Sequence, residues 1–221
     1  MEGLPAERGF TVLENLPDVI GLALRDQRAG LDKIAFNQVD LRAGAGAITV
    51  TSLAFADHAP LPADYTADGA GLSPPVEWSH VPPQATEVIL IVEDADAPTP
   101  QPLVHAIVVG LAGEEGSLQA GALPSPDHDA EADVTAGRNS FLQARWLPPD
   151  PPPGHGTHRY VFQVFALEAG DPLPGTPGRG AVLEAIAARG LASGYTVATY
   201  GRPDGSVPAA AGALVRPVQP E

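Results

Sequence analysis

The 221-residue sequence predicts an antiparallel β-sandwich or barrel, and three observations point there. Proline (25) and glycine (24) fill 49 positions, well above the roughly 12% of an average chain, which argues against a mostly helical protein. Short β-branched and aromatic runs recur between Pro/Gly clusters, which is the pattern of strands. No helix-length pattern separates the first two of these runs, which points away from a βαβ sheet. With 44% hydrophobic residues the chain can bury one core, so collagen and full disorder are excluded.

Taken in order, Pro17 and Asp18 open a segment in which Ile20, Leu24, Leu31 and Ile34 fall near helical spacing. Residues 17–36 therefore read as an amphipathic helix, with Gly21 and Gly30 as its weak points. Its polar face mixes Arg25, Asp26, Arg28, Asp32 and Lys33, so core packing or a dimer contact fits it better than a membrane surface. From residue 47 the period falls to two through Ile48, Val50, Leu53 and Phe55, followed by a proline-punctuated loop over 59–75. Strands are expected over 87–93 (EVILIVE), 103–109 (LVHAIVV) and 158–167 (HRYVFQVFAL), with an acidic loop over 113–137. Residues 181–189 read as one late helix with Gly190 as its stop, and 194–200 as a final strand. This divides the chain into an extension (1–46), a β domain (47–203) and a Pro/Ala-rich tail (204–221) without periodicity.

Charge narrows the partners. The formal net charge is −15, and residues 47–168 carry 16 acidic against 3 basic side chains, whereas 169–221 balance at 4 and 4. Such a surface repels phosphate backbones and anionic lipid, so neither nucleic acid nor bulk membrane is an expected partner. The absence of cysteine removes disulfides, thiolate nucleophiles and cysteine zinc sites. Residues 1–10 carry two acids and no apolar stretch, and no run approaches the roughly 20 apolar residues of a membrane span, so a cytoplasmic protein is expected.

The candidate chemistry gathers at strand ends. Asp94 and Asp96 follow the 88–92 run two residues apart, so a strand reading puts both carboxylates on one face at the sheet rim. There they could share a proton and either accept from an amine or donate to an anionic oxygen. The alternative is an Asx turn leading to Pro98. His105 sits inside an apolar strand, where a satisfied core histidine is the alternative to a ligand contact. His158 and Tyr160 share one strand face, opposite Arg159 and Val161, just after the rigid approach 148–156 that contains Gly154 and Gly156. His155 and His158, three apart, form only a weak metal pattern, and no metal or cofactor is expected. No GxSxG elbow, P-loop or GxGxxG occurs.

Five segments in order, 68–78 (DGAGLSPPVEW), 94–98 (DADAP), 103–109, 137–139 (GRN) and 151–162 (PPPGHGTHRYVF), closely resemble the phosphatidylethanolamine-binding protein family. The similarity is nearest to its bacterial, Raf kinase inhibitor-like branch, and it runs from about residue 51 to the TYGR ending at Arg202. The resemblance implies a Greek-key sandwich, here with an added N-terminal helix and one C-terminal helix, and a small anion pocket at one end. It implies ligand-binding roles for Asp94, Asp96, His105, His158 and Tyr160, and a pocket loop including Ser73, Pro74, Pro98, Gly154 and Gly156. Trp78 would anchor the core. Two departures stand out: Ala95 interrupts an acid-Pro-acid motif, and Asp150 stands in 148–152 where the branch commonly has cysteine. Three functions compete: a binder of a small phosphate- or carboxylate-bearing anion, a kinase or protease inhibitor acting by protein contact, and a weak acid-base enzyme on a phosphorylated molecule. No catalytic residue is assigned, and a homodimer through the N-terminal extension is a further expectation.

Overall fold

The computed structural model describes residues 18–41, 46–129 and 134–202, so the 204–221 tail lies outside the described residues. In chain order the strands are β1 Gly46–Ala47, β2 Thr49–Thr51, β3 Ala59–Pro60, β4 Val76–Ser79, β5 Glu87–Asp94, β6 Leu103–Ala112, β7 Gly116–Leu118, β8 Thr135–Ala136, β9 His158–Leu167 and β10 Gly190–Tyr200. The helices are α1 Asp18–Leu24, α2 Ala35–Gln38 and α3 Arg179–Arg189. Among the described residues one sheet runs β1-β10-β9-β5-β6-β8, with β3 also on β10, and a second runs β2-β4-β7. The four long strands pair antiparallel, while short β1 and β3 lie parallel to β10. No helix is long and apolar enough to cross a membrane, among the described residues.

The central run of β5 is apolar without alternation because both of its faces are covered. Val88, Leu90 and Val92 face the small sheet and pack in one core with Val76, Trp78, Trp146 and Phe162. Ile89 and Ile91 face the other way, into a second core built with Ile107, Phe165 and Leu167 and with Val182 and Ile186 of α3. Burial of each such side chain contributes about 1.5–3 kcal/mol. Trp78 is buried as the resemblance implied, and its indole N–H donates to the Glu114 carbonyl at 2.9 Å.

The structure corrects four expectations. The continuous helix over 17–36 is instead α1, an irregular stretch, a single 3-10 turn at Leu31–Lys33 and α2. Gly30 sits at φ +103°, and the amides of Ala29 and Gly30 donate to the Ala97 and Ala95 carbonyls (3.0 and 2.8 Å), so their hydrogen bonds go to the turn after β5 and not along a helix. The acidic 113–137 segment is not all loop, since it contains β7 and β8. Residues 76–79, unassigned between the 59–75 loop and the 87–93 run, form β4 at the centre of the small sheet. Gly190 does cap α3, but in an extended conformation (φ −65°) and not a left-handed one; it pairs with Leu167 and begins β10, four residues before the expected strand.

Candidate functional site

The antiparallel β5–β9 pairing sets the end of one strand beside the start of the other, with Asp94 opposite Tyr160. His158, two residues earlier on β9, therefore reaches Asp94, and its Nδ1 lies 2.7 Å from Asp94 Oδ2. On the far side of the ring, His158 Nε2 lies 2.7 Å from His155 Nδ1. His155 Nε2 in turn donates to the carbonyls of Leu24 (2.9 Å) and Gln27 (3.2 Å). The result is a line of hydrogen bonds, Asp94 to His158 to His155 to the N-terminal segment, in which Asp94, His155 and His158 are no more than 3% exposed.

Carbonyl oxygens accept at one end of this line, and the Asp94 carboxylate stands at the other. Burial, together with the neighbouring His158, pushes the His155 pKa down, so His155 is the neutral ring, with its hydrogen on Nε2 and its Nδ1 accepting. His158 then donates from Nε2 to His155 Nδ1, and its Nδ1 faces the Asp94 carboxylate. Gly154 (φ +77°) and Gly156 (φ +97°) hold the left-handed turns that aim His155 at His158, which a residue with Cβ would adopt only under strain. At 2.7 Å the two ring nitrogens are closer than the roughly 3.3 Å edge implied by tetrahedral zinc with N ligands.

His105 enters from β6 through a register shift between the pairs Val92–Ala106 and Glu93–Val104. The extra residue turns His105 inward beside Ala106, against Trp146 and edge-on to Tyr160, with ring centroids 5.1 Å apart in the latter case. Its Nδ1 donates to the Leu147 carbonyl at 2.6 Å. Burial lowers its pKa, so the ring is neutral and Nε2 carries a lone pair. That atom and Trp146 Nε1 are buried without a hydrogen-bond partner.

Asp96 goes elsewhere. Its backbone N–H donates to Asp94 Oδ1 at 2.8 Å, the Asx turn that was the alternative to a shared carboxylate face. Its carboxylate accepts from Arg159 Nε and Nη2 (both 2.7 Å) and pairs with Arg28 at 3.1 Å. Arg159 does face away from His158, and Asp96 follows it. Burial raises the Asp96 pKa, but the Arg159 hydrogen bonds and charge, with Arg28, outweigh that and hold it below the usual carboxylate range. Pro98 lies half-buried just beyond this turn. Ser73 and Pro74 line a cavity of about 10 Å³ with Val92, Leu123, Trp146 and Phe162, and Ser73 Oγ accepts from Leu123 N–H at 3.1 Å.

Two features were missed by sequence reasoning. His155 was weighed only as a metal ligand, although its place between two glycines just before the HRY run marks it as a fixed loop side chain. Buried Arg202 holds Asp68 with two nitrogens and Asp150 at 2.5 Å, so Asp150 meets a counterion and pins the 148–152 approach. Tyr200 O–H also donates to Asp68, and burial raises its pKa to about 12.

A family model described as phosphatidylethanolamine-binding protein matches residues 51–201. The chain belongs to this family. It is 40% identical over 131 residues to a UPF0098 protein of Mycobacterium tuberculosis, a match covering 59% of each chain, so it spans well under two thirds of that relative. The crystal structure of the family homologue CT736 from Chlamydia trachomatis superposes with a TM-score of 0.63 at 31% identity, covering 71% of this chain and 98% of that one. Escherichia coli YbcL, described as a new member of the mammalian PEBP family, gives 0.63 at 25% identity, covering 71% and 99%. The matched region begins after the N-terminal segment, so the Asp94, His158 and His155 part of the line lies within the family domain, while Leu24 and Gln27 are additions to it.

Proposed function

We propose that this family member is a binding protein for a small anion, a phosphate, phosphoethanolamine or carboxylate head group, held at the strand ends by Asp94, His105, His158 and Tyr160. What supports this reading is the buried, hydrogen-bonded line itself, Asp94 to His158 to His155, at the end of the sandwich. Its imidazole N–H groups are short-range donors that an incoming anion can take over from their present acceptors, even though the surrounding chain is strongly acidic. The lone pair on His105 Nε2 supplies the opposite function, accepting from a P–O–H or an ammonium group. Asp96, bound up by two arginines, orients the turn and contributes less to the ligand.

Titration calorimetry with phosphate, phosphoethanolamine and acetate tests this. Saturable binding that is lost in both Asp94→Ala and His158→Ala proteins is expected, and binding unchanged in both variants places the site elsewhere. A cytoplasmic location is part of the same proposal, and cell fractionation checks it.

A further inference from the structure

The N-terminal segment crosses the site. Beyond the two carbonyls on His155 Nε2, Arg28 donates to the His155 carbonyl (3.1 Å) and the Thr157 carbonyl (3.0 Å) and pairs with Asp96. Ala29 and Gly30 add their amide bonds to the 95–97 turn. Gly21 of α1 lies so close to the 153–155 loop that a Cβ there would stand 1.9 Å from the Pro153 carbonyl oxygen.

This cover differs from the segment that follows it. From residue 34 onward the extension is anchored: Ile34 and Ala35 are buried, Ala35 N–H donates to Glu93 at 2.6 Å and Phe36 N–H to Gln163 at 2.7 Å. Before Gly30 the residues described as buried are the small Gly21 and Ala29, the hydrogen bonds are those of Arg28 and the backbone, and Ile20 (37% exposed) and Leu22 (40% exposed) face solvent. A thin polar cover, a glycine with φ +103° and a buried anchor follow one another along the chain.

We propose that residues 18–30 form a strap that closes the anion site, swinging about Gly30 while 34–38 stay docked, so that strap and anion compete for the His155–His158 line. The competition rests on the anion reading above; the closure does not. When the strap lifts, His155 Nε2 loses both carbonyl acceptors, and the His155 and His158 rings become reachable from solvent.

The test uses the full chain and its Gly21→Ala variant. Alanine favours the helix itself, so any loosening comes from the clash with Pro153 and not from melting α1. Diethylpyrocarbonate modification of His155 and His158 is followed by mass spectrometry, with exposed His58, His80 and His128 as fast internal standards and buried His105 as a slow one. Loss of one or two polar contacts predicts modification faster by on the order of tenfold in the variant, with phosphate binding tightened in step. An Arg28→Gln variant, which removes polar contacts without a clash, should show the same direction. Equal rates for His155 and His158 in all three proteins overturn the strap. Faster modification with no binding of phosphate, phosphoethanolamine or acetate by any of them keeps the closure and overturns both the competition and the anion reading.

Discussion

Glu93 and Asp94 are neighbours on β5, both buried, and they differ in nearly everything else. Glu93 points to the helix side of the large sheet, where its carboxylate accepts from Ala35 N–H (2.6 Å), Gln163 Nε2 (2.9 Å) and Arg179 Nε (2.6 Å). Every partner is a fixed donor, and Arg179 supplies the counter-charge. Asp94 points to the sandwich end and meets the ring of His158, itself hydrogen-bonded to His155. The difference teaches that strand alternation, not residue type, decides here whether a buried carboxylate meets fixed donors with a counter-charge or a pair of histidine rings.

The largest expected effect falls on the structural side. Glu93→Ala leaves Arg179 and two further donors unpaired, and loss of a buried pair of this kind costs about 3 kcal/mol. Urea unfolding should show it as a shifted midpoint at constant slope, and a shift as small as that of a surface substitution would break the contrast. Next comes acidification. His105 and His155 both have folded-state pKa values below the ordinary histidine range, so the unfolded chain binds more protons than the folded one. Stability should therefore fall as pH drops below about 6.5, by up to about 1.4 kcal/mol per pH unit for each proton taken up. Thermal melts between pH 7.5 and 5 check this, and His155→Gln should flatten the slope.

Smaller effects belong to the site itself. Asp94→Asn keeps the shape and one acceptor oxygen, so it should cost about 1 kcal/mol, well below Glu93→Ala in the same unfolding assay. A cost equal to that of Glu93 would make Asp94 another structural carboxylate. Smallest of all, Arg159→Gln removes a pair to Asp96 made by a side chain that is 37% exposed, which is expected to cost about 0.5 kcal/mol and less at high salt.

Much of this arrangement was legible in the sequence, where its signal was periodic. The β5, β6 and β9 runs are long, apolar and bounded by Pro/Gly clusters, and the 181–189 pattern found α3 to within two residues. The ordered motifs placed Asp94, His105, His158 and Tyr160 in one region. What stayed hidden depended on partners far away in the chain. Apolar spacing over 20–34 suggested one helix because nothing local shows that Ala29 and Gly30 bond to residues 97 and 95. Asp96 left its neighbour's face because Arg159 and Arg28 were within reach. His155 gave no periodic signal at all, since its role comes from two left-handed glycines and a carbonyl more than a hundred residues away.

Nitrogen NMR of the histidine rings during a phosphate titration tests the central claim most directly. The account predicts saturable shifts of the His158 and His155 ring nitrogens at one common midpoint, with exposed His58 and His80 unmoved. Saturable phosphate binding that leaves the His158 ring unchanged, or no binding at all, would contradict it.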